Sequence, residues 1–138
     1  MFNLVKSIQT QTTHTNPSMI LSRLLSKYVH NIKSPKDFEK YVLKSKVPTI
    51  VDFYAKWCAP CKGLMPKLVK HVEKADGKLT MAKIDIDDQG VEQTIVNHRV
   101  RSVPSVFAYH NGKIVDQFVG LPANKFIADF VDKLKKLN

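Results

Sequence analysis

The stretch TIVDFYAKWCAPCKGLMPK, residues 49–67, holds both cysteines of the chain, Cys58 and Cys61, and its single tryptophan, Trp57. Its first seven residues are a near-continuous β-rich apolar run, the pattern of a strand covered on both faces. Beyond the cysteines, Leu64, Met65, Leu68, Val69 and Val72 recur at helical spacing as far as Lys74. The cysteine pair therefore sits where a buried strand hands over to a helix. A helix N-terminus presents unpaired amide N–H groups and about half a positive charge. Both favour a thiolate, so Cys58, at the tip, is expected to be the reachable, low-pKa nucleophile. Cys61 shares the face of Leu64, Leu68 and Val72, should be mostly buried, and would attack the mixed disulfide formed on Cys58. Pro60 suits a first helical turn, where its missing N–H matters little.

Two other uses of such a pair compete with this one. A zinc site needs two further ligands, and none of His14, His30, His71, His98 and His110 lies three to five residues from another. A purely structural disulfide closing so small a loop gains little from chain entropy.

The rest of the chain alternates strands and helices. Ser34 reads as an N-cap and Pro35 as the first residue of a helix whose apolar face is Phe38, Tyr41 and Val42. Pro48 breaks it from the strand of residues 49–55. Residues 78–87 read as a strand, and Asp88 to His98 as a helix. Residues 105–110 and 113–119 read as strands joined by Asn111–Gly112, the strongest short hairpin signal. A last helix turns Phe126, Ile127, Phe130, Leu134 and Leu137 inward, with lysines towards its C-terminus, where the dipole favours cations. The class is α/β.

Net charge is +10 over 138 residues. The basic residues are dispersed and have no aromatic interleaving, which gives no support to nucleic-acid binding. Residues 1–29 carry Lys6, Arg23 and Lys27 and no acid. Ile20, Leu21, Leu24, Leu25 and Tyr28 recur there at helical spacing opposite Ser22, Arg23, Ser26 and Lys27. This is the composition of a mitochondrial presequence. The longest apolar run in it is Met19 to Leu21, far short of a secretory h-region or a membrane span. Residues 1–29 are thus expected to be a non-globular mitochondrial leader, cut somewhere in residues 24–32, and residues 30–138 the folded domain. A cytoplasmic tail is the alternative.

VDFYAKWCAPCKGLMP resembles the active-site segment of thioredoxins, usually V-D-F-W-A-x-W-C-G-P-C-K-x-x-x-P. The likeness runs over residues 29–138, through KLTMAKIDIDD and VRSVPSVFAYHNGKIVDQFVG. It implies a thioredoxin fold, a central mixed β-sheet flanked by helices, and, with the leader, a mitochondrial-type member. Asp52 stands inside an apolar run, where burial should raise its pKa. By similarity it is the acid/base for the Cys61 thiol, with Lys83 as its charged neighbour. Pro104 is similar to the family's cis-proline opposite the cysteines, which would leave the Val103 backbone free to pair with a substrate strand. Trp57, Ala59, Pro60, Val103, Pro104 and Gly120 would then surround Cys58 as a substrate surface. Pro66 should kink its helix. Ala59 departs from the usual Gly, and Tyr54 from the usual Trp.

The resemblance implies a general protein-disulfide reductase without a cofactor of its own, acting through a Cys58/Cys61 dithiol–disulfide cycle. Its partners would be a flavin-dependent thioredoxin reductase using NADPH and disulfide-containing protein substrates such as peroxiredoxins. Neither nucleic acid nor stable membrane association is implied, and a monomer is expected. An oxidase or isomerase of the same fold, or a non-enzymatic binding module, are the other readings. The intact Cys58, Cys61 and Asp52 speak against the last.

Overall fold

The computed structural model describes residues 16–18 and 27–137. The amphipathic leader helix expected around residues 19–28 lies, apart from Lys27 and Tyr28, outside the described residues. Strand β1 is Val29–Asn31 and helix α1 begins at Pro35–Phe38, capped by Ser34, whose hydroxyl accepts the Asp37 amide at 3.2 Å. The helix then widens over Glu39–Leu43. There the Lys44 amide reaches back five residues to the Glu39 carbonyl at 2.9 Å. Strand β2 is Thr49–Tyr54, helix α2 Ala59–Lys74, strand β3 Thr80–Asp85 and helix α3 Glu92–Asn97. Strands β4, Ser105–His110, and β5, Lys113–Val119, precede helix α4, Asn124–Lys135. Among the described residues no helix is long and apolar enough to cross a membrane.

The strands form one sheet in the order β1-β3-β2-β4-β5. β1, β3 and β2 run parallel, while β4 and β5 join antiparallel, which makes the sheet mixed. β2 lies at its centre and is buried from Thr49 to Phe53. Strand alternation sends its side chains into two cores. Ile50 joins Leu64, Leu68 and Val72 of α2, with Ile127, Phe130 and Leu134 of α4. Val51 and Phe53 join Phe38 and Val42 of α1 on the other face. The Asn111–Gly112 turn closes the hairpin with φ of 52° and 76°, the left-handed pair that a two-residue loop of this kind demands.

Some expectations need correction. The third helix starts at Glu92 rather than at Asp88. The acids before it are engaged elsewhere, since Asp85 Oδ1 accepts the Asp87 amide at 3.0 Å and Asp88 pairs with Lys33 at 3.0 Å. Gly90 breaks the run with φ +94°, and a Cβ there would stand 2.8 Å from the Lys33 carbonyl oxygen. The strand expected over residues 78–87 is limited to Thr80–Asp85. Phe126 of α4, and Leu137 just beyond its end, do not face inward but remain 47% and 42% exposed. Phe126 leans on Phe118 at the margin of the apolar stripe, with ring centroids 5.4 Å apart. Pro66 stands inside α2 without ending it.

Candidate active site

Strand β2 ends at Tyr54, and four residues later Cys58 caps α2 in an extended conformation. Its sulfur accepts the Cys61 amide N–H at 3.2 Å, the place a serine or aspartate oxygen takes at other helix starts. Cys58 and Cys61 are joined as a disulfide with Cα atoms 5.3 Å apart. Once this bond opens, the same N–H and the helix dipole remain aimed at the Cys58 sulfur. That sulfur also lies 3.6 Å from the Val103 carbonyl oxygen. Cys58 was expected to be reachable and Cys61 mostly buried. In the disulfide both are buried, at 4% and 2% exposure, so the difference between them lies in hydrogen bonding rather than in access.

Asp52 is fully buried in β2. It shares the sheet face of Ile50, which is covered by α2. In register it stands beside Lys83 of β3 and Val106 of β4. Neither carboxylate oxygen has a hydrogen-bond partner. Desolvation raises its pKa to about 7, and the positive charge of Lys83 only partly opposes the rise. Lys83 is half-buried and reaches over the Tyr54 ring, with Nζ 5.5 Å from the centroid. A 450 Å³ pocket lined by Tyr54, Cys61, Met65, Pro66 and Lys83 opens on this flank of the pair.

The other flank is a surface. Trp57 is not a core tryptophan, being 68% exposed. Its indole N–H donates to Asp87 Oδ2 at 2.9 Å, which fixes the ring beside the cysteines. Ala59 and Pro60 are exposed at the first turn of α2. The Val103–Pro104 peptide is cis, and the Pro104 carbonyl accepts the Gly120 amide at 2.9 Å. Val119 and Leu121 beside Gly120 are exposed apolar side chains. The structure thus places Trp57, Cys58 and Val103 in one neighbourhood, with Pro104 tied to Gly120.

Asp87 and Asp85 were missed in the sequence. Asp85, 5% exposed, holds the turn that carries Asp87 and lies 3.8 Å from Lys56 Nζ. Their signal was available as IDIDD, three acids in four residues at the C-terminal end of a parallel strand in a basic chain.

Comparison with known proteins places this geometry in context. Residues 29–133 match the thioredoxin family model. The chain is 43% identical over 104 residues to mitochondrial thioredoxin of Mus musculus and 44% identical to that of Bos taurus, in each case over 75% of this chain and 61% of the relative. The matched region therefore spans about three-fifths of the length of those relatives. Among solved structures, the crystal structure of Malassezia sympodialis thioredoxin superimposes with a TM-score of 0.68 at 27% identity, covering 78% of this chain and 90% of that one.

Proposed function

Because the chain belongs to the thioredoxin family, we propose that it is a thiol–disulfide oxidoreductase that reduces disulfides in other proteins. The observation that carries this reading is the Cys58 sulfur, held at a helix N-terminus on the Cys61 amide and facing the Val103 carbonyl.

In the reduced protein the Cys58 thiolate attacks one sulfur of a substrate disulfide. The substrate S–S bond breaks, one substrate thiolate leaves and takes up a proton, and Cys58 is left in a mixed disulfide. Cys61 then gives its proton to the Asp52 carboxylate and attacks the Cys58 sulfur. The second substrate thiolate departs, and the Cys58–Cys61 disulfide remains. Two electrons have passed to the substrate. A carboxyl titrating near 7 suits this proton transfer, because both of its forms are populated at neutral pH. The pocket lined by Cys61 and Lys83 opens that flank of the cysteine pair, while the Asp52 carboxyl stays buried behind it. The cysteine pair is the redox group, so no bound cofactor enters the cycle. A flavin-dependent thioredoxin reductase drawing on NADPH returns the two electrons, and peroxiredoxin-type proteins are among the substrates.

Insulin turnover tests the activity. With NADPH and a thioredoxin reductase, the protein should precipitate insulin B chains and consume NADPH in proportion, while omission of the reductase should stop turnover after one equivalent. A protein that instead oxidises reduced peptides and leaves insulin intact would reject the reductase reading.

The acid-free leader and the names of the mammalian relatives support a mitochondrial matrix location, with residues 1–29 as the presequence. A fluorescent fusion of residues 1–35 is expected to enter mitochondria and be shortened there. A diffuse, full-length fusion would reject targeting and leave the chemistry untouched.

A further inference from the structure

The segment between α3 and β4 reaches the Cys58 sulfur through Val103. It also carries Arg99 and Arg101, the only arginines among the described residues. Both are exposed, and they line one 360 Å³ pocket together with Ser102, Gln117 and Val119. Neither guanidinium is paired with a carboxylate of the described residues.

Two further observations set this pocket apart from a solvated face. Arg99 follows the end of α3 at φ 52°, and its backbone is fixed there by the helix-ending turn: its amide donates to the Val96 carbonyl at 3.0 Å and the Val100 amide to the Ile95 carbonyl at 3.3 Å. Arg101 lies two residues before Val103, so its Cα is within about 7 Å of the Val103 Cα even along an extended chain. A substrate strand pairing with the Val103 backbone would carry its neighbouring side chains past this pocket. The planar, permanently charged guanidinium fork matches a carboxylate in two-point contact, which an ammonium does not.

We propose that Arg99 and Arg101 form a carboxylate subsite that receives an aspartate or glutamate lying near the attacked cysteine of the substrate protein. The chain thereby prefers disulfides with acidic neighbours. This selectivity rests on the reductase reading of Cys58.

The test uses three disulfide peptides that differ only in carrying Glu, Gln or Lys within three residues of the cysteine on either side. With the full chain, kcat/KM should fall in the order Glu, Gln, Lys, with about fivefold between Glu and Gln, the size expected of one partly solvated ion pair. Raising the salt to about 0.5 M should flatten the series, because exposed charges are screened. The double variant Arg99→Glu, Arg101→Glu should invert the order, and this ratio within one protein does not depend on how much of it is folded. Equal kcat/KM for the three peptides, or an order that survives the double variant, would overturn the subsite and leave the reductase reading standing. Failure of the unmodified protein to reduce any of the three would instead count against the reductase reading.

Discussion

Replacement of Cys58 by serine is expected to reduce insulin turnover to background, whereas Cys61→Ser should leave the protein able to attack once and then hold its substrate. The asymmetry follows from the start of α2. A thiolate at Cys58 keeps the Cys61 N–H at 3.2 Å and the positive end of the helix dipole, and a serine hydroxyl at that place does not ionise near neutral pH. Cys61 receives no such donor and stands one turn further into the helix, packed with Ala55 and Cys58. Without its thiol the mixed disulfide has no internal attacker. Mass spectrometry of Cys61→Ser incubated with insulin should therefore show covalent adducts on Cys58. Alkylation of the reduced parent protein near pH 7 should label Cys58 well ahead of Cys61. Equal labelling of the two thiols, or adducts on Cys61 in a Cys58→Ser protein, would reverse the assignment.

The second large effect belongs to Asp52 and shows in both stability and rate. Its pKa stands at about 7 in the folded chain against 3.8 for an ordinary aspartate. The folded state therefore holds this proton more tightly than the unfolded state does. Stability from the neutral carboxyl is fully present below about pH 4 and is lost as pH rises towards and through 7, where the carboxylate must be carried without a hydrogen bond. Over that range the loss amounts to about 4 kcal/mol. Asp52→Asn has nearly the same shape and does not titrate. Denaturant melts of parent and variant should thus diverge by up to about 4 kcal/mol between pH 4 and pH 8, in favour of the variant. A constant offset across that range would show that the carboxyl does not titrate with folding. Resolution of the mixed disulfide should slow in the variant by about a hundredfold, the usual contribution of a positioned acid or base. A variant that gains stability and loses rate would show that the buried carboxyl is kept for chemistry.

Asp52 could be found in the sequence because a carboxylate in TIVDFYA breaks an apolar run that has no other polar interruption. Its pairing with Lys83 was reached only through the family likeness, since the register of β2 against β3 is a tertiary fact that no local pattern encodes. The hairpin was legible to the residue because the Asn111–Gly112 turn is local chemistry. Helix α3 was read too long because Asp88 looks like a first-turn acid. Its partner, Lys33, is 55 residues away in the chain. Phe126 misled for a related reason. Its spacing matches Phe130, but its ring packs beside Phe118 and Phe130 and stays 47% exposed, a matter of tertiary packing that helical spacing does not encode. The exposure of Trp57 is likewise decided by the Asp87 carboxylate, which only the folded chain brings near.

Strand β1 bears on where the proposed presequence could be cut. Val29–Asn31 pair in parallel with Met81–Lys83, the Ile32 amide donates to the Lys83 carbonyl at 2.9 Å, and the Tyr28 hydroxyl donates to Asp76 at 3.3 Å. A processing peptidase cutting after residue 31 would strip this strand and leave β3 as a bare sheet margin. Unpaired N–H and C=O groups would then face solvent beside a buried apolar strand, a template for other chains to dock and aggregate. Of the window 24–32, only the part up to Val29 keeps the strand whole, so if the proposed presequence is cut on import, the mass of the product should correspond to a start no later than Val29. The sheet would then limit where the proposed presequence can end as much as the peptidase does: a strand of three residues covers the edge of β3.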